Sequence, residues 1–172
     1  MNWIADFVRP KIKKATSKEI AENLWTKCPE CGQMLFNKEL EKDAYLCSYC
    51  GHHLRLPLKN RFEMLFDDGK YKQLALPKLV DDPLSFKDSK KYSDRLKAYR
   101  RLTKNDDAIT VACGNIGKIK TVVAALDFTF MGGSMGTAVG EGIVKAVDFA
   151  IKTTSPLVII SASGGARMQE GI

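Results

Sequence analysis

The chain has 172 residues and a formal net charge of +7, from 27 basic and 20 acidic side chains. Its composition is that of a globular protein, and no apolar run approaches the ~20 residues that span a bilayer. We expect about one to one and a half domains, no membrane segment, no secretory signal and a reducing, cytoplasmic location. The basic charge favours an anionic partner, such as nucleic acid, a phosphorylated cofactor or an acidic subunit.

Residues 1–22 are predicted to form an N-terminal tail. Trp3, Ile4, Phe7 and Val8 recur at helical spacing, so a short amphipathic helix that ends before Pro10 is one interpretation. A frayed terminus is the other. The tail continues as a basic stretch that contains Lys11, Lys13, Lys14 and Lys18.

Residues 23–56 hold two Cys-x2-Cys pairs, fifteen residues apart: Cys28, Cys31, Cys47 and Cys50. Zinc prefers four soft ligands at tetrahedral corners, and each two-residue gap lets one tight turn present two sulfurs to the ion. Gly32 and Gly51 follow the pairs and permit a positive φ. We predict one structural zinc ion in a ribbon that depends on the metal to fold. Because four cysteines complete the coordination sphere, His52 and His53 are expected on solvated surface.

Residues 57–105 are predicted to be a helical connecting segment. One helix is expected near residues 59–66 and a second over about 87–103. In the second, Tyr92, Leu96 and Tyr99 recur at three- and four-residue steps, which indicates a buried face. Eight basic side chains lie on its other face: Lys87, Lys90, Lys91, Arg95, Lys97, Arg100, Arg101 and Lys104.

Residues 106–172 alternate strand and helix patterns, which is typical of an α/β fold. Strands are predicted at 109–113 and 119–128, joined by a turn at 114–117. A helix is predicted over 140–153, followed by a strand at 156–161 that is buried on both faces. The predicted inner face of the helix consists of Ile143, Val147, Ala150 and Ile151. Cys113 is interpreted as a small core residue.

Two glycine pairs, Gly132-Gly133 and Gly164-Gly165, each follow an apolar strand, and a helix is expected after the second pair. Such turns can aim backbone N–H groups into a cleft, where they hold a phosphate or an oxyanion. A tight turn without a ligand is the alternative, and it stays open. Because both histidines lie beside the cysteines, any chemistry is expected to depend on backbone donors and on a cofactor.

Five motifs together resemble the β subunits of the bacterial and plastid acetyl-CoA carboxylase carboxyltransferase. They are WTKC at 25–28, both cysteine pairs with the following GHH, FKDSKKY at 86–92 with DRL at 94–96, FMGGSMG at 130–136 and SASGGARMQEG at 161–171. The resemblance implies a crotonase-like α/β fold of stacked ββα units behind the zinc ribbon. It implies transfer of a carboxyl group from carboxybiotin to acetyl-CoA, which gives malonyl-CoA in the first committed step of fatty acid biosynthesis.

The resemblance also implies residue roles. Gly164 and Gly165 are expected to be catalytic as backbone oxyanion donors. Gly132, Gly133 and Gly136 are assigned to cofactor binding, beside the thioester or the biotin. Arg167 is placed in the same cofactor-binding group, with bracing of the turn or of an interface as its favoured role. The basic face of residues 87–104 is expected to meet CoA phosphates or the acidic carrier, or only solvent.

The partners implied are a carboxyltransferase α subunit in an α2β2 heterotetramer, the biotin carboxyl carrier protein that carries the carboxybiotin, and biotin carboxylase in the full complex. Nucleotide and ATP binding are implied as well. Family members continue beyond residue 172, so we expect a truncated chain that is inactive alone. Two alternatives stay open: a zinc-ribbon protein that binds nucleic acid, which is also a possible secondary activity, and an inactive fragment with an assembly role only.

Overall fold

A computed structural model describes residues 24–171. They fall into two compact units, one ending at Leu56 and the other beginning at Pro57, and each unit is described by itself. The short helix predicted before Pro10 lies outside the described residues. Among residues 24–171, no helix has both the length and the hydropathy needed to cross a bilayer.

The first unit is a small ribbon. Strand β1 (Trp25–Lys27) pairs antiparallel with strand β2 (Met34–Phe36), and helix α1 (Asn37–Lys42) follows at once. Trp25 lies opposite Phe36, and their ring centroids are 5.2 Å apart. The buried core consists of Cys28, Leu35, Leu40 and Cys47. Two of these four side chains are predicted zinc ligands, so this core depends directly on the cysteine site.

The second unit is a four-stranded sheet with helices on both faces. In chain order its elements are α2 (Leu58–Leu65), β3 (Tyr71–Gln73), α3 (Tyr92–Thr103), β4 (Ile109–Ile116), β5 (Ile119–Leu126), α4 (Thr137–Lys152) and β6 (Leu157–Ile160). The strand order is β3-β4-β5-β6, with β5 and β6 parallel and the other pairs antiparallel. Helix α4 supplies the crossover that parallel neighbours require. The order β4-β5-α4 is therefore a ββα unit of the kind that the resemblance implies.

The two faces of β5 bury different sets of side chains, because successive residues of a strand point to opposite sides. Val122, Ala124 and Leu126 pack in a cluster with Tyr92 of α3 and Ala146 of α4. On the other face, Val123 and Ala125 pack in a cluster with the α2 side chain Phe62 and with Phe66. The central strands are thus covered on both sides and form the core of the unit.

Helix α3 begins at Tyr92 and not near residue 87, so the predicted start was wrong. The reason lies in two aspartates that hold the preceding residues in turns. Asp82 Oδ1 accepts the Phe86 N–H at 2.7 Å, and Asp88 Oδ1 accepts the Lys90 N–H at 3.0 Å. Such side-chain bonds offer the backbone an alternative to the helix. The predicted burial of Tyr92 and Leu96 is confirmed.

The inner face of α4 matches the prediction at Ile143 and Ala150 and differs from it at Val147 and Ile151. The buried residues of the helix are Val139, Gly142, Ala146 and Ala150. Ile151 is 73% exposed, so its assignment to the inner face was wrong. A Cβ atom on Gly142 would lie 2.9 Å from Ile109 Cγ2, which shows how closely the helix approaches β4. Small residues allow this approach, and Val144, Val147 and Ile151 are left on the outer side.

The turn between β4 and β5 lies later than predicted. Pairing continues to Ile116 opposite Ile119, so the turn consists of Gly117 and Lys118, both with positive φ, as in a two-residue type I′ hairpin. Gly114 belongs instead to the sheet, opposite Tyr71. A Cβ atom there would lie 2.6 Å from the Lys70 carbonyl oxygen, so close packing explains this glycine.

Strand β6 was predicted to be buried on both faces, and this is wrong for the described residues. Val158 is 41% exposed and Ile159 is 47% exposed. The strand lies at the edge of the described sheet, where only β5 pairs with it. Among the described residues, both faces of β6 therefore carry partly exposed apolar side chains.

Candidate functional site

The four predicted metal ligands converge on one point. Their Sγ atoms all lie within 4.8 Å of one another. Cys28 Sγ and Cys50 Sγ are 3.8 Å apart, and Cys31 Sγ and Cys47 Sγ are 3.7 Å apart. A tetrahedral zinc site with Zn–S bonds of about 2.3 Å has sulfur–sulfur edges of about 3.8 Å. The cysteines therefore fit a zinc ion, and neither histidine belongs to this group of ligand atoms.

The backbone folds each Cys-x2-Cys pair into a knuckle. Gly32 N–H donates to the Cys28 carbonyl oxygen at 3.0 Å, and Gly51 N–H donates to the Cys47 carbonyl oxygen at 2.9 Å. The φ angles of these glycines are +73° and +72°, as the sequence indicated. The two knuckles are therefore built in the same way.

The four thiols of the cysteine site influence one another's protonation. The backbone N–H of Cys31 is the largest cause that lowers the pKa of Cys28, to about 6. Cys50 behaves in the opposite way: a backbone hydrogen bond from His52 favours its thiolate, but desolvation and the three neighbouring thiols raise its pKa to about 12. Four thiolates can share this small volume only when a cation offsets their repulsion, and this is what Zn²⁺ supplies.

The two glycine turns lie against each other. Gly164 N–H donates to the Gly132 carbonyl oxygen at 2.9 Å. Met135 N–H donates to the Gly165 carbonyl oxygen at 2.9 Å, and Arg167 N–H donates to the Met135 carbonyl oxygen at 2.9 Å. The sequence predicted two separate turns, whereas the structure joins them through three backbone hydrogen bonds.

Gly133 makes this close packing possible. Its φ is +65°, and a Cβ atom at this position would collide with the Ala162 carbonyl oxygen. Gly132 has a similar φ of +67°, but a Cβ atom there would meet nothing within 4 Å. The two neighbouring glycines are therefore required for different reasons: one for packing and conformation, the other for conformation alone.

The candidate oxyanion donors already have partners within the chain. Gly164 N–H binds the Gly132 carbonyl oxygen, and Gly165 N–H binds Ser163 Oγ at 3.0 Å. The helix predicted after Gly165 is a single 3₁₀ turn, Met168–Glu170, among the described residues. It is too short to contribute a helix dipole. The donor role of the two amides stays a prediction, and it requires that they exchange these partners for a ligand.

Arg167 lies at the centre of a buried polar network. Its side chain is 0% exposed and forms a two-pronged ion pair with Asp107, at 2.9 Å from Nη1 to Oδ2 and 2.7 Å from Nη2 to Oδ1. Its Nε donates to Ser134 Oγ at 3.0 Å, and its Nη2 donates to the Ser134 carbonyl oxygen at 2.7 Å. The guanidinium group thus connects the first glycine turn to the residue pair that precedes β4.

Sequence reasoning missed the acidic members of this network, Asp107 and Glu170. It also assigned Tyr92 to the core without a polar role, although its hydroxyl group donates to Glu170 Oε1. Burial of Tyr92 and the nearby Glu170 carboxylate raise the pKa of this hydroxyl. The only available signal was the i, i+3 spacing of Arg167 and Glu170 within one motif.

A cavity of about 730 Å³ opens beside this network. Leu76, Ile109 and Val111 supply apolar lining. Thr137, in the first turn of α4, and Glu170 also line the cavity. Its basic lining residues are Lys78, Arg100 and Lys104. Arg100 is paired with Asp81 at 2.6 and 2.7 Å. Part of the basic face of α3 is therefore neutralised within the chain.

The described residues define a protein with a four-cysteine zinc ribbon and an α/β unit whose two glycine turns are joined by backbone hydrogen bonds. Comparison with known families specifies it further. The carboxyl transferase domain model matches residues 75–172, and the acetyl-CoA carboxylase zinc finger domain model matches residues 25–50. The chain belongs to the carboxyl transferase family, and the predicted α/β fold class and zinc ribbon are confirmed.

Two curated relatives are similar over the whole chain. The acetyl-coenzyme A carboxylase carboxyl transferase subunit beta of Jannaschia sp. (strain CCS1) is 50% identical over 100% of this chain and 54% of the relative. That of Allorhizobium ampelinum is 50% identical over 100% of this chain and 56% of the relative. The chain thus spans about half the length of these relatives. Among solved structures, a transcarboxylase 12S chain is 26% identical over 69% of this chain and 21% of its own length, with a TM-score of 0.48.

Proposed function

We propose that this chain is the part of an acetyl-CoA carboxylase carboxyltransferase β subunit that carries the zinc ribbon and the first glycine turns. The reaction moves a carboxyl group from carboxybiotin to the methyl carbon of acetyl-CoA, and the methyl proton passes to biotin. The observation that supports this most is the pair of joined glycine turns, in a chain 50% identical to named β subunits over its whole length.

The chemistry suits a site built from backbone donors. Loss of the methyl proton places negative charge on the thioester oxygen of the substrate, and fixed N–H groups stabilise such a charge best in a site that excludes water. We assign Gly164 and Gly165 as these donors, which exchange their present bonds to Gly132 and Ser163 for the substrate oxygen. Gly132, Gly133 and Gly136 shape the adjoining loop. Carboxybiotin, carried on a separate protein, supplies the carboxyl group.

The cavity beside the network is assigned to acetyl-CoA. Its volume of about 730 Å³ lies within the ~300–1,000 Å³ of small-molecule sites. Apolar lining suits the pantetheine arm, and Lys78 and Lys104 suit its phosphates. Four carboxylates also line the cavity, and three of them are paired within the chain: Asp81 with Arg100, and Asp107 and Glu170 with Arg167. We assign nucleotide binding to the adenosine end of this substrate, and ATP binding to the complete carboxylase, in which biotin carboxylase uses it.

The partners follow from the same proposal. They are a carboxyltransferase α subunit, in an α2β2 assembly in the cytoplasm, the biotin carboxyl carrier protein and biotin carboxylase. The zinc ribbon serves folding and assembly, because its four cysteines leave no coordination position for substrate. Secondary nucleic-acid binding through the basic face of α3 stays a prediction, and a steep loss of affinity with salt is its test.

Activity of the complete gene product tests the proposal. Assembled with the α subunit, it is expected to form malonyl-CoA from free carboxybiotin and acetyl-CoA, and each subunit alone is expected to form none. The absence of malonyl-CoA from the assembled pair, with both subunits folded, contradicts the proposed function.

Hydrogen exchange tests the assigned residues separately. Acetyl-CoA is expected to slow exchange at the Gly164 and Gly165 amides and at residues lining the cavity. The Gly117 amide at the β4–β5 hairpin is the internal control and is expected not to change. Protection at the hairpin and none at the glycine turns would place the substrate elsewhere.

A further inference from the structure

Both oxygens of the Glu170 carboxylate are bound within the chain. Oε2 accepts the backbone N–H of Thr137, the first residue of α4, at 2.7 Å. Oε1 accepts the hydroxyl group of Tyr92 and one N–H of Arg167, the latter at 3.2 Å. The side chain is 9% exposed. Glu170 thus connects the end of the second glycine motif to the N-terminus of the helix that follows the first.

Gly136 provides the space for this carboxylate. A Cβ atom on Gly136 would lie 2.6 Å from Glu170 Oε2 and 2.8 Å from its Cδ. The φ of Gly136 is −100° and its ψ is −173°, which is extended backbone that any residue adopts. Conformation therefore does not require glycine here. A side chain at this position would have to displace the Glu170 carboxylate, which hydrogen bonds to Tyr92, Thr137 and Arg167 hold in place.

The ionised form of Glu170 is favoured in this environment. Burial opposes its charge, but hydrogen bonds from Tyr92 and from the Thr137 N–H, together with the charge of Arg167, hold its pKa below the usual range. A carboxylate at a helix N-terminus satisfies a backbone donor that has no partner in the helix and also interacts favourably with the helix dipole. The contact thus anchors the first turn of α4.

We propose that Glu170 is a positioning residue, which fixes the first turn of α4 and the preceding glycine loop relative to the Gly164-Gly165 turn. The absence of a side chain at Gly136 leaves room for its carboxylate. The inference deepens the proposed function and rests on it. Backbone donors stabilise a developing charge only when they are held within about 0.5 Å of the productive geometry. Glu170 spans the two turns that supply that geometry, and its proposed effect on the reaction is exerted through them.

A double-mutant cycle in the complete gene product, assembled with the α subunit, tests this proposal. Glu170→Ala removes the anchor, and Gly136→Ala places a methyl group against the carboxylate. Each is expected to lower kcat about tenfold or more, with a smaller change in the KM for acetyl-CoA, because displaced backbone donors stabilise the transition state less well. Once Glu170 is alanine, adding Gly136→Ala is expected to cost less than about twofold, since the collision is gone.

Gly140→Ala is the matched control. It also replaces a glycine of the same region, but a Cβ atom there meets nothing within 4 Å, so kcat is expected to match that of the unmodified enzyme. Multiplicative losses in the Gly136/Glu170 double variant overturn the assignment of Gly136. An unchanged kcat in a folded Glu170→Ala enzyme overturns the positioning role.

A readout without catalysis separates this inference from the proposed function. Exchange of the Thr137 amide is expected to accelerate in Glu170→Ala and to remain slow in Gly140→Ala. If the unmodified assembly makes no malonyl-CoA, the proposed function fails, while this exchange measurement still tests the anchor. Unchanged Thr137 exchange in Glu170→Ala overturns the anchor whether or not the enzyme is active.

Discussion

The two units of the chain are stabilised by different means. In the ribbon, two of the four buried core side chains are cysteines of the metal site, so binding and folding are one event. In the α/β unit, apolar clusters cover both faces of the central strands, and the polar network around Arg167 positions loops on a fold that already has a core. The comparison indicates that loss of metal acts on a whole unit, whereas loss of a network residue acts locally.

Removal of zinc has the largest expected effect. Structural zinc sites contribute about 10–16 kcal/mol, which exceeds what the few apolar side chains of the ribbon provide. Chelation, or Cys47→Ser, is therefore expected to unfold residues 24–56 while amide protection in β4 and β5 persists. Hydrogen exchange with mass spectrometry, together with zinc analysis, measures both.

The control is Cys113→Ser, because Cys113 lies in β4 outside the cysteine site. One zinc per chain and a protected ribbon are expected to remain. Loss of protection in β4 and β5 after chelation would show that the two units do not differ in the way described.

Loss of Arg167 has the second largest expected effect. Arg167→Met leaves the buried carboxylates of Asp107 and Glu170 without their cation, and breaking a buried pair in this way costs about 3–5 kcal/mol. Arg100→Met is the matched control, because its pair with Asp81 is partly exposed and such pairs contribute at most about 1 kcal/mol. Urea unfolding of the α/β unit compares the two variants, and equal losses contradict a special role for the buried network.

The sequence predicted the ribbon more completely than the α/β unit for a physical reason. Zinc ligation depends on local spacing, so Cys28, Cys31, Cys47 and Cys50 could be assigned without any tertiary information. The α/β class and the burial of Tyr92 also follow from periodicity. In contrast, the inner face of α4 depends on how closely Gly142 approaches Ile109, which is a property of the packed fold.

The polar network could not be predicted for the same reason. Asp107 and Arg167 are sixty residues apart, and no spacing rule connects them. The contact between the two glycine turns likewise arises only when β5 and β6 pair in parallel. Even the glycines were understood incompletely, because the close approach of the Ala162 carbonyl group to Gly133 and of the Glu170 carboxylate to Gly136 appears only in the packed fold.

The neighbouring glycines of the first turn offer a smaller test. Gly132→Ala meets no neighbouring atom, so it is expected to cost only the ~1–2 kcal/mol of a left-handed residue with a side chain. Gly133→Ala is expected to have the same conformational cost and must also displace the Ala162 carbonyl group, which adds about 1–3 kcal/mol. Denaturant unfolding of the two variants is expected to show this order. The reverse order would mean that the two turns do not pack as described.

The smallest expected effect concerns the β4–β5 hairpin. Asp67 accepts the N–H of Gly117 at 2.9 Å with Oδ1 and the N–H of Lys118 at 2.7 Å with Oδ2. These bonds hold a turn in which Lys118, a residue with a side chain, adopts a φ of +68°. Asp67→Ala removes both acceptors and is expected to cost about 1 kcal/mol.

Asp68→Ala is the control for this last variant, because the Asp68 carboxylate forms an exposed ion pair with the Lys70 ammonium group, at 3.3 Å. Its loss is expected to cost less than about 0.5 kcal/mol beyond the effect of its own positive φ. Faster exchange of the Gly117 and Lys118 amides in Asp67→Ala alone would locate the effect at the turn. Neither variant is expected to alter exchange in the middle of β5, because the central strands stay covered on both faces. A loss of amide protection throughout the unit would contradict a local role for the Asp67 hydrogen bonds.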